Sequence, residues 1–277
     1  ADTNPPNLFE VLLFLGDGTL EMTASETIDG TPTDFVNLTQ FYIRDVTQNA
    51  ETYDCGPNGG GRCVIHLPGS TILAADSVTI TMTLAEPMRV QAIAISGTPG
   101  GDGQHAVLDV FPGGFRDMSA NRNNNAHGFD QQHRDAVGYY NLDFNLTEFP
   151  DSVAPNMTSS LINLNNGHLS VTATETLDAT PLEVIDLTRF FISNVPVMNA
   201  SLAQLSLVGA TVLSADGITI NMTLTELQRV QAIEISGTPG GDGGHAYLYT
   251  MTGASRDIAH NPTMQSVVNL TEIPDTT

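Results

Sequence analysis

The chain contains one sequence module twice. Residues 76–103 and 216–243 are identical at 21 of 28 aligned positions. Shorter matches continue on both sides of this segment, as far as a shared Asn-Leu-Thr-Glu-x-Pro-Asp motif near the end of each copy. Two copies of one module predict two similar domains in tandem. We place them at 1–149 and 150–277.

The first copy is longer because it carries two insertions. One is a glycine-rich loop between Cys55 and Cys63, and the other covers about 122–137 and is rich in Asn, Gln, His and Asp. The second composition is typical of a surface excursion. The short loop predicts a local Cys55–Cys63 disulfide and therefore an oxidising compartment. The alternative is a metal site in which His66 joins the two thiolates.

Strand-like alternation dominates both copies. Across 78–84, Val, Ile, Met and Leu alternate with Thr, which predicts a strand with one apolar and one hydroxylated face. Asp17-Gly18 and Asn166-Gly167 stand between such runs and predict two-residue hairpin turns. The spacing favours seven or eight strands per copy, so we expect an all-β chain of two tandem Ig-like β-sandwich domains.

One short helix is expected in each copy, at 86–93 and at 226–233. Preceding threonines can cap both segments, including Thr225 in the second copy. Val90 and Val230 each stand three residues before an isoleucine, and this spacing predicts that both valines face the core.

The charge balance argues against several classes of function. Acidic residues outnumber basic ones by 31 to 9, the net charge is −22, and every basic residue is an arginine. A nucleic-acid binder needs a basic face, and anionic membrane surfaces are disfavoured for the same reason. The absence of lysine argues against Walker-type nucleotide binding and Schiff-base catalysis. No apolar run reaches about 18 residues, so no membrane insertion is expected.

Carboxylates recur at equivalent positions near the ends of the two modules, and divalent cations are attractive partners for them. Oxygen ligands of this kind predict Ca²⁺ sites. The candidate ligands are Asp2, Glu26, Asp29, Asp151, Glu175, Asp178 and Asp275, with Asp117 and Asp257 beside them. The alternative is that these groups are solvated and make only local turn bonds.

Enzymatic chemistry is not expected. The loops at 97–103 and 237–243 resemble phosphate loops, but no lysine follows them and they run from helix to strand. No Gly-x-Ser-x-Gly nucleophile elbow occurs, and no pair of carboxylates points to a glycosidase. A repeated Asp-x-x-His, ending at His105 and His245, either holds a cation or hydrogen-bonds at a strand start.

Six Asn-x-Ser/Thr sequons predict N-glycosylation and a secreted or cell-surface protein. Two of them occupy equivalent positions on the last strand before each linker, and the threonine-rich faces are candidates for O-glycans. The six asparagines are Asn37, Asn145, Asn156, Asn199, Asn221 and Asn269.

The first strand is almost continuously apolar, whereas its counterpart at 160–165 is half polar. Its apolar residues are Leu8, Phe9, Val11, Leu12, Leu13, Phe14 and Leu15. A strand that is apolar on both faces is expected to be buried on both faces. Either the 122–137 insertion covers the outer face, or the strand pairs into a preceding copy by strand addition. The second case gives head-to-tail filaments.

The order of motifs resembles the bacterial-type Ig-like repeats of secreted adhesins, surface-layer proteins and algal surface-fibre proteins. The motifs are a Pro-Asp linker, a hairpin that ends in Thr-x-Ser/Thr-Glu-Thr-x-Asp, and a late Arg-Asp-x-x-x-Asn turn. In that family the late turn usually reads Asp-x-x-Gly-Asn, and the glycine is missing at 117–121 and at 257–261. The resemblance implies an Ig-like fold and an extracellular setting.

These observations predict a structural protomer of an extracellular, glycosylated fibre or surface array. Its partners would be copies of itself, joined head to tail, or further repeats in one longer chain. The alternative is an adhesin stalk or a Ca²⁺-dependent module in which the loops at 46–66 and 121–138 bind a carbohydrate or a protein.

Overall fold

The computed structural model describes most of the chain as two compact units, Ala1–Asp151 and Ser152–Thr277. The division lies two residues after the end of the first sequence copy. The described residues are 2–45, 64–73, 75–123, 144–196 and 204–276. Cys55, Cys63, Asn199 and most of the 122–137 insertion lie outside them. None of the helices in these ranges is long and apolar enough to cross a membrane.

Within its described residues, unit 1 contains nine strands and one α-helix. In chain order they are β1 (Leu8–Phe14), β2 (Thr19–Ile28), β3 (Phe41–Asp45), β4 (Val64–His66), β5 (Thr71–Ile72), β6 (Ser77–Thr83), α1 (Glu86–Ala94), β7 (Ala106–Val110), β8 (Phe144–Asn145) and β9 (Thr147–Phe149). They form two sheets, with strand orders β5-β6-β2-β1-β9 and β4-β3-β7-β8. The first and last strands, β1 and β9, are parallel neighbours.

Unit 2 repeats this order. Its elements are β10 (Met157–Asn163), β11 (His168–Leu177), β12 (Phe190–Ser193), β13 (Leu205–Ser206), β14 (Thr211–Val212), β15 (Gly217–Thr223), α2 (Glu226–Glu234), β16 (Tyr247–Thr250) and β17 (Ser266–Ile273). The long β17 replaces both β8 and β9. Its first half pairs with β16 and its second half runs parallel to β10, so all eight strands form one continuous sheet.

The cores follow from the alternation in the strands. Ile80 and Met82 of β6 are buried, whereas Thr79 and Thr81, which alternate with them, stay half-exposed. The hairpin glycines Gly18 and Gly167 have φ of +73° and +70°, a region that glycine adopts at little steric cost. The predictions of a β-rich chain and of one short helix in each copy are confirmed. Hairpins form at both predicted places, but the prediction of two-residue turns is wrong, because four residues separate the paired Phe14 and Thr19 and four separate Asn163 and His168.

The inward face of the helices differs from the prediction. In α1 the buried residues include Arg89 and Ala92, and in α2 they are Gln228 and Ala232. The prediction that Val230 faces the core is wrong, because this side chain is 40% exposed. The Gln228 amide donates two hydrogen bonds of 2.9 Å to backbone carbonyls. One acceptor is Ser206, the last residue of β13, and the other is Val208, two residues later. Polar tips that bond to the backbone therefore take the positions expected for valines.

The apolar strand β1 is an interior strand of its sheet. Five of its seven side chains and that of the next residue are buried or half-buried, and the fully buried ones are Leu8, Val11, Leu13 and Leu15. The prediction that both faces are buried is wrong at Phe9, which is 67% exposed. Phe14 stacks on Phe149 of β9 with 4.5 Å between ring centroids. Because β2 pairs along one edge of β1 and β9 pairs with Leu12–Phe14 along the other, this last part of β1 presents no free edge for strand addition.

Candidate functional site

A buried arginine in unit 1 anchors the chain that leaves the last strand. Arg89 of α1 donates from Nη1 to Asp151 Oδ2 at 2.8 Å and to the carbonyl oxygen of Leu15 at 2.9 Å. Its Nε and Nη2 bond to Glu86 at 2.7 and 2.9 Å. The Asp151 side chain is completely buried. One guanidinium therefore connects the helix, the residue after β1 and the linker acid that follows β9.

Unit 2 builds the same anchor with the equivalent residues. Arg229 of α2 donates from Nη1 to Asp275 Oδ2 and to the carbonyl oxygen of Leu164, both at 2.7 Å. Its other nitrogens bond to Glu226 at 2.7 and 2.8 Å, and these hydrogen bonds lower the pKa of the Glu226 carboxyl. Sequence reasoning missed this anchor. Its signal is the Glu-x-x-Arg of each helix combined with the Pro-Asp after each last strand.

An acidic cluster forms in unit 1 from three carboxylates that the sequence singles out. Oxygens of Asp2, Glu26 and Asp117 all lie within 4.8 Å of one another. Asp117 is buried and accepts 2.8 Å hydrogen bonds from the backbone nitrogen and the Nδ2 of Asn121. Burial, followed by the charges of Asp2 and Asp117, raises the pKa of Glu26 above its usual value. These oxygens retain accepting capacity, so their chemistry fits a hard cation.

The equivalent positions of unit 2 bring two buried carboxylates together. Glu175 and Asp257 have oxygens within 4.8 Å of each other. As in unit 1, the turn asparagine holds the aspartate: the backbone nitrogen and Nδ2 of Asn261 donate to Asp257 at 2.8 and 2.9 Å.

Four of the predicted calcium ligands lie in ion pairs with arginine. Asp29 accepts from Arg116 at 2.7 and 2.9 Å, and Asp178 accepts from Arg256 at 2.8 and 2.9 Å. The other two, Asp151 and Asp275, are bound by the helix arginines of the linker anchors. For Asp29 and Asp178 the calcium assignment stays a prediction that this geometry does not support, because a guanidinium already provides the positive charge and neither residue belongs to an acidic cluster of the described residues.

The fourth position of each late turn has a left-handed backbone conformation. Ala120 and His260 occupy that position here and have φ of +64° and +70°. This left-handed region costs an L-residue with a Cβ about 1–2 kcal/mol, whereas glycine enters it freely. Both turns are thus held in this conformation although the chain lacks the favoured residue.

Replacing Ala120 with glycine is therefore expected to stabilise unit 1 by about 0.5–1 kcal/mol. The gain is the relieved left-handed strain less the entropy lost by ordering glycine. Urea denaturation of the variant and the parent measures it. Ser119→Gly, one residue earlier at a negative φ, is the control and is expected to lower stability; a gain from both changes would contradict the explanation.

The repeated glutamate of Asn-Leu-Thr-Glu has a structural role. Glu148 accepts hydrogen bonds from the backbone nitrogens of Gly97 at 2.9 Å and Ala106 at 2.8 Å. Glu272 does the same in unit 2, at 3.0 and 3.1 Å. Each glutamate ties both ends of the Gly-Thr-Pro-Gly-Gly-Asp-Gly loop to the last strand. In unit 1 the carboxylate thus engages the first loop nitrogen, that of Gly97, while those of Gly101 and Gly103 donate to backbone carbonyls. This pattern agrees with a structural loop.

The alternative cation pairs near these loops receive no support from the geometry. His105 and His245 are exposed, and Asp102 Oδ1 accepts from the backbone nitrogen of Gln104 at 2.9 Å. Asp242 accepts from Asn194 Nδ2 at 2.7 Å. In the Cys-loop alternative, the His66 ring lies edge-on to Tyr42, with 4.8 Å between ring centroids.

The described sequon asparagines differ in accessibility. The exposed ones are Asn37, Asn145, Asn156 and Asn269. Asn221 is half-buried and its Oδ1 accepts a 2.8 Å hydrogen bond from Ser170 Oγ. In Asn37 the Oδ1 accepts from the Thr39 backbone and hydroxyl, so this side chain caps a short helical turn.

Three surface cavities of the described ranges each contain a single carboxylate. A cavity of about 600 Å³ contains Asp34, one of about 440 Å³ contains Glu234, and one of about 520 Å³ contains Glu272. A glycosidase needs two carboxylates that flank one bond. These three cavities therefore lack the pair that such a reaction requires.

Comparisons with known proteins provide no family or function for this chain. None of the protein-family models matches this chain, and no curated protein sequence aligns with it significantly.

Proposed function

We propose that the chain is a structural element of an extracellular, glycosylated fibre or surface array. In this proposal its units are Ig-like β-sandwiches that continue in series, and its partners are copies of the same module. The observation that carries the proposal is the pair of linker anchors. Both units use a helix arginine, Arg89 or Arg229, to bind the acidic residue after the last strand. An anchor that fixes the chain where it leaves the last strand suits a module that is followed by another module.

The strand order supports the Ig-like assignment. An Ig-like sandwich places its first, second, fifth and fourth strands in one sheet and its third, sixth and seventh in the other. The orders β5-β6-β2-β1-β9 and β4-β3-β7-β8 follow this pattern when β4 is taken as an additional strand beside β3, so that β5, β6 and β7 are the fourth, fifth and sixth strands. The last strand is divided between the sheets as β8 and β9. The left-handed residue at the fourth position of both late turns agrees with the resembling repeats, which usually have glycine there.

Self-association is expected to depend on Phe9, the exposed aromatic residue of the first strand, β1. Burying such a side chain contributes about 1.5–3 kcal/mol, so Phe9→Ser is expected to weaken association by about 10- to 100-fold. Sedimentation and negative-stain images of the purified chain provide the measurement.

Leu73→Ser is the matched control, because Leu73 is as exposed as Phe9 but lies outside β1. Equal losses in the two variants would point to unspecific stickiness. A wild-type chain that stays monomeric at high concentration, and is monomeric in native material, would contradict the fibre proposal. Deleting 1–15 is a poor test, because β1 supplies much of the core of unit 1.

Calcium binding by Asp2, Glu26 and Asp117 is a second candidate function. A ligand at a hundredfold excess over its Kd stabilises the folded state by about 2.7 kcal/mol. We expect Ca²⁺ to raise the melting temperature of unit 1 and a chelator to reverse the increase. Glu26→Gln is expected to abolish the response, whereas Glu10→Gln, an exposed carboxylate outside the cluster, leaves it intact.

The same cluster predicts a pH dependence in the presence of a chelator. The folded state binds the Glu26 proton more tightly than the unfolded state, since its pKa is raised above 4.5. This contribution is present below pH 4.5 and is lost as the pH rises through the raised pKa. Calcium is expected to remove the loss. Identical pH profiles for Glu26→Gln and the parent would contradict the cluster's role.

A further inference from the structure

A sequon of unit 2 faces an aromatic ring across two strands. Asn269 of β17 pairs with Tyr247 of β16. The backbone nitrogen of Leu270 donates to the carbonyl oxygen of Ala246 at 3.0 Å, so the Asn269–Tyr247 pair next to it is of the non-hydrogen-bonded type. Side chains of such pairs share one face, and their Cα atoms are only about 4.5 Å apart. The asparagine amide therefore projects beside the tyrosine ring.

A groove surrounds this pair. Its volume is about 520 Å³, and its lining includes Tyr247, Asn269, Thr271 and His245. Asn269 and Thr271 are the two defining residues of the sequon, and both are exposed. Tyr247 is half-buried, so part of the side chain remains open to the groove. The groove is large enough for one hexosamine and has an aromatic wall.

We infer that Asn269 carries an N-linked glycan whose first N-acetylglucosamine packs against Tyr247 in this groove. The inference rests on the proposed glycosylation and adds a preformed groove in which the first sugar binds. In the transfer, Nδ2 of Asn269 forms a bond to C1 of the sugar and loses a proton, while the C1–oxygen bond to a lipid pyrophosphate donor breaks. The apolar C–H face of the sugar then covers the ring, as aromatic surfaces favour.

Unit 1 offers an internal comparison. Its equivalent sequon asparagine, Asn145, pairs with Val107, which is completely buried. Leu146 donates to the Ala106 carbonyl at 3.3 Å, so the register is the same. The two sequons thus share backbone geometry and differ in the aromatic ring. Among the described residues, the cross-strand partner of Asn145 is thus not an aromatic platform for a glycan.

The test uses the full chain, secreted from a eukaryotic host and trimmed enzymatically to one N-acetylglucosamine per site. Glycopeptide mass spectrometry measures the occupancy of Asn269. Calorimetry then compares each glycosylated protein with its Asn269→Gln counterpart in three backgrounds: parent, Tyr247→Ala and Tyr247→Phe. This double-mutant cycle removes any direct effect of the tyrosine change on folding.

We expect the sugar to raise the melting temperature by about 3 °C in the parent and in Tyr247→Phe, and by less than about 1 °C in Tyr247→Ala. Asn145→Gln is expected to cause no comparable shift. The N-acetyl methyl resonance on Asn269 should also move upfield, and the move should disappear in Tyr247→Ala.

An unoccupied Asn269, or an equal gain in Tyr247→Ala, would overturn the inference. If the gain is equal in Tyr247→Ala, the glycosylation part of the proposed function stands, because the sugar is attached but does not pack against Tyr247. If every sequon is bare, the glycosylation claim fails with it. Filament formation is measured separately and is independent of both outcomes.

Discussion

Arg89→Ala is expected to destabilise unit 1 by about 3–5 kcal/mol. Removing the guanidinium leaves the completely buried carboxylate of Asp151 without its 2.8 Å ion pair. It also removes the donor to the carbonyl of Leu15. A buried charge that loses its partner costs far more than the pair contributes to stability, because water cannot replace the lost bonds. Chemical denaturation followed in the two units measures the effect.

Two other arginines, whose ion pairs are more exposed, serve as comparisons for this prediction. Arg229→Ala is expected to have a smaller effect in unit 2, because Arg229 and Asp275 are 18% and 23% exposed and water screens their interaction. Arg189 and Asp186 form an exposed pair, so Arg189→Ala should cost less than about 1 kcal/mol. If the three variants lose the same stability, burial of the anchor has no energetic role.

The second large effect is expected for Gly101→Ala, at about 3 kcal/mol or more. A Cβ at Gly101 would lie 2.1 Å from the carbonyl oxygen of Ser96 and 2.6 Å from that of Ile93. Both are backbone atoms, so no side-chain rotation relieves the contact and the loop must move. That movement would also disturb the 3.2 Å hydrogen bond from the nitrogen of Gly103 to Ser96. Urea denaturation measures the loss.

The loop contains its own control. Gly103 has φ of +84° but no heavy atom near its would-be Cβ, so Gly103→Ala should cost only the left-handed strain of about 1–2 kcal/mol. Gly241 meets backbone oxygens at 2.2 and 2.5 Å, and Gly241→Ala should match Gly101→Ala. A larger loss at Gly103 than at Gly101 would show that backbone conformation, and not space, requires the glycine.

Local patterns predicted much of the fold. The hairpin glycines, the positions of α1 and α2 and the alternating strands depend on residues that are neighbours in sequence. The prediction failed where distant residues decide the outcome. Val230 has a core-type spacing, but the inward face of the helices is taken by polar tips such as Gln228, whose partners lie about 20 residues away.

The candidate site shows the same limit. Equivalent acidic positions indicated Asp2 and Glu26, and the end of β2, which carries Glu26, is joined to Asp117 by a β-bridge at Ile28. Asp29 looked equally suitable, yet an arginine 87 residues later binds it. From the sequence alone, Arg89 would be interpreted as a solvated helix residue, because its buried partner Asp151 is 62 positions away. No single local segment predicts such pairings, and only the recurrence of both Glu-x-x-Arg and Pro-Asp in the two copies indicates the anchor.

The parallel pairing of first and last strands has a mechanical consequence for each unit. A force that pulls the two ends of unit 2 apart acts along β10 and β17 in opposite directions, so their hydrogen bonds are loaded in shear. Bonds loaded in this way must break together, whereas bonds at a peeled edge break one at a time. Four residue pairs join β10 to β17 and three join β1 to β9. The resistance of each unit to tension is thereby set by the register of its first and last strands.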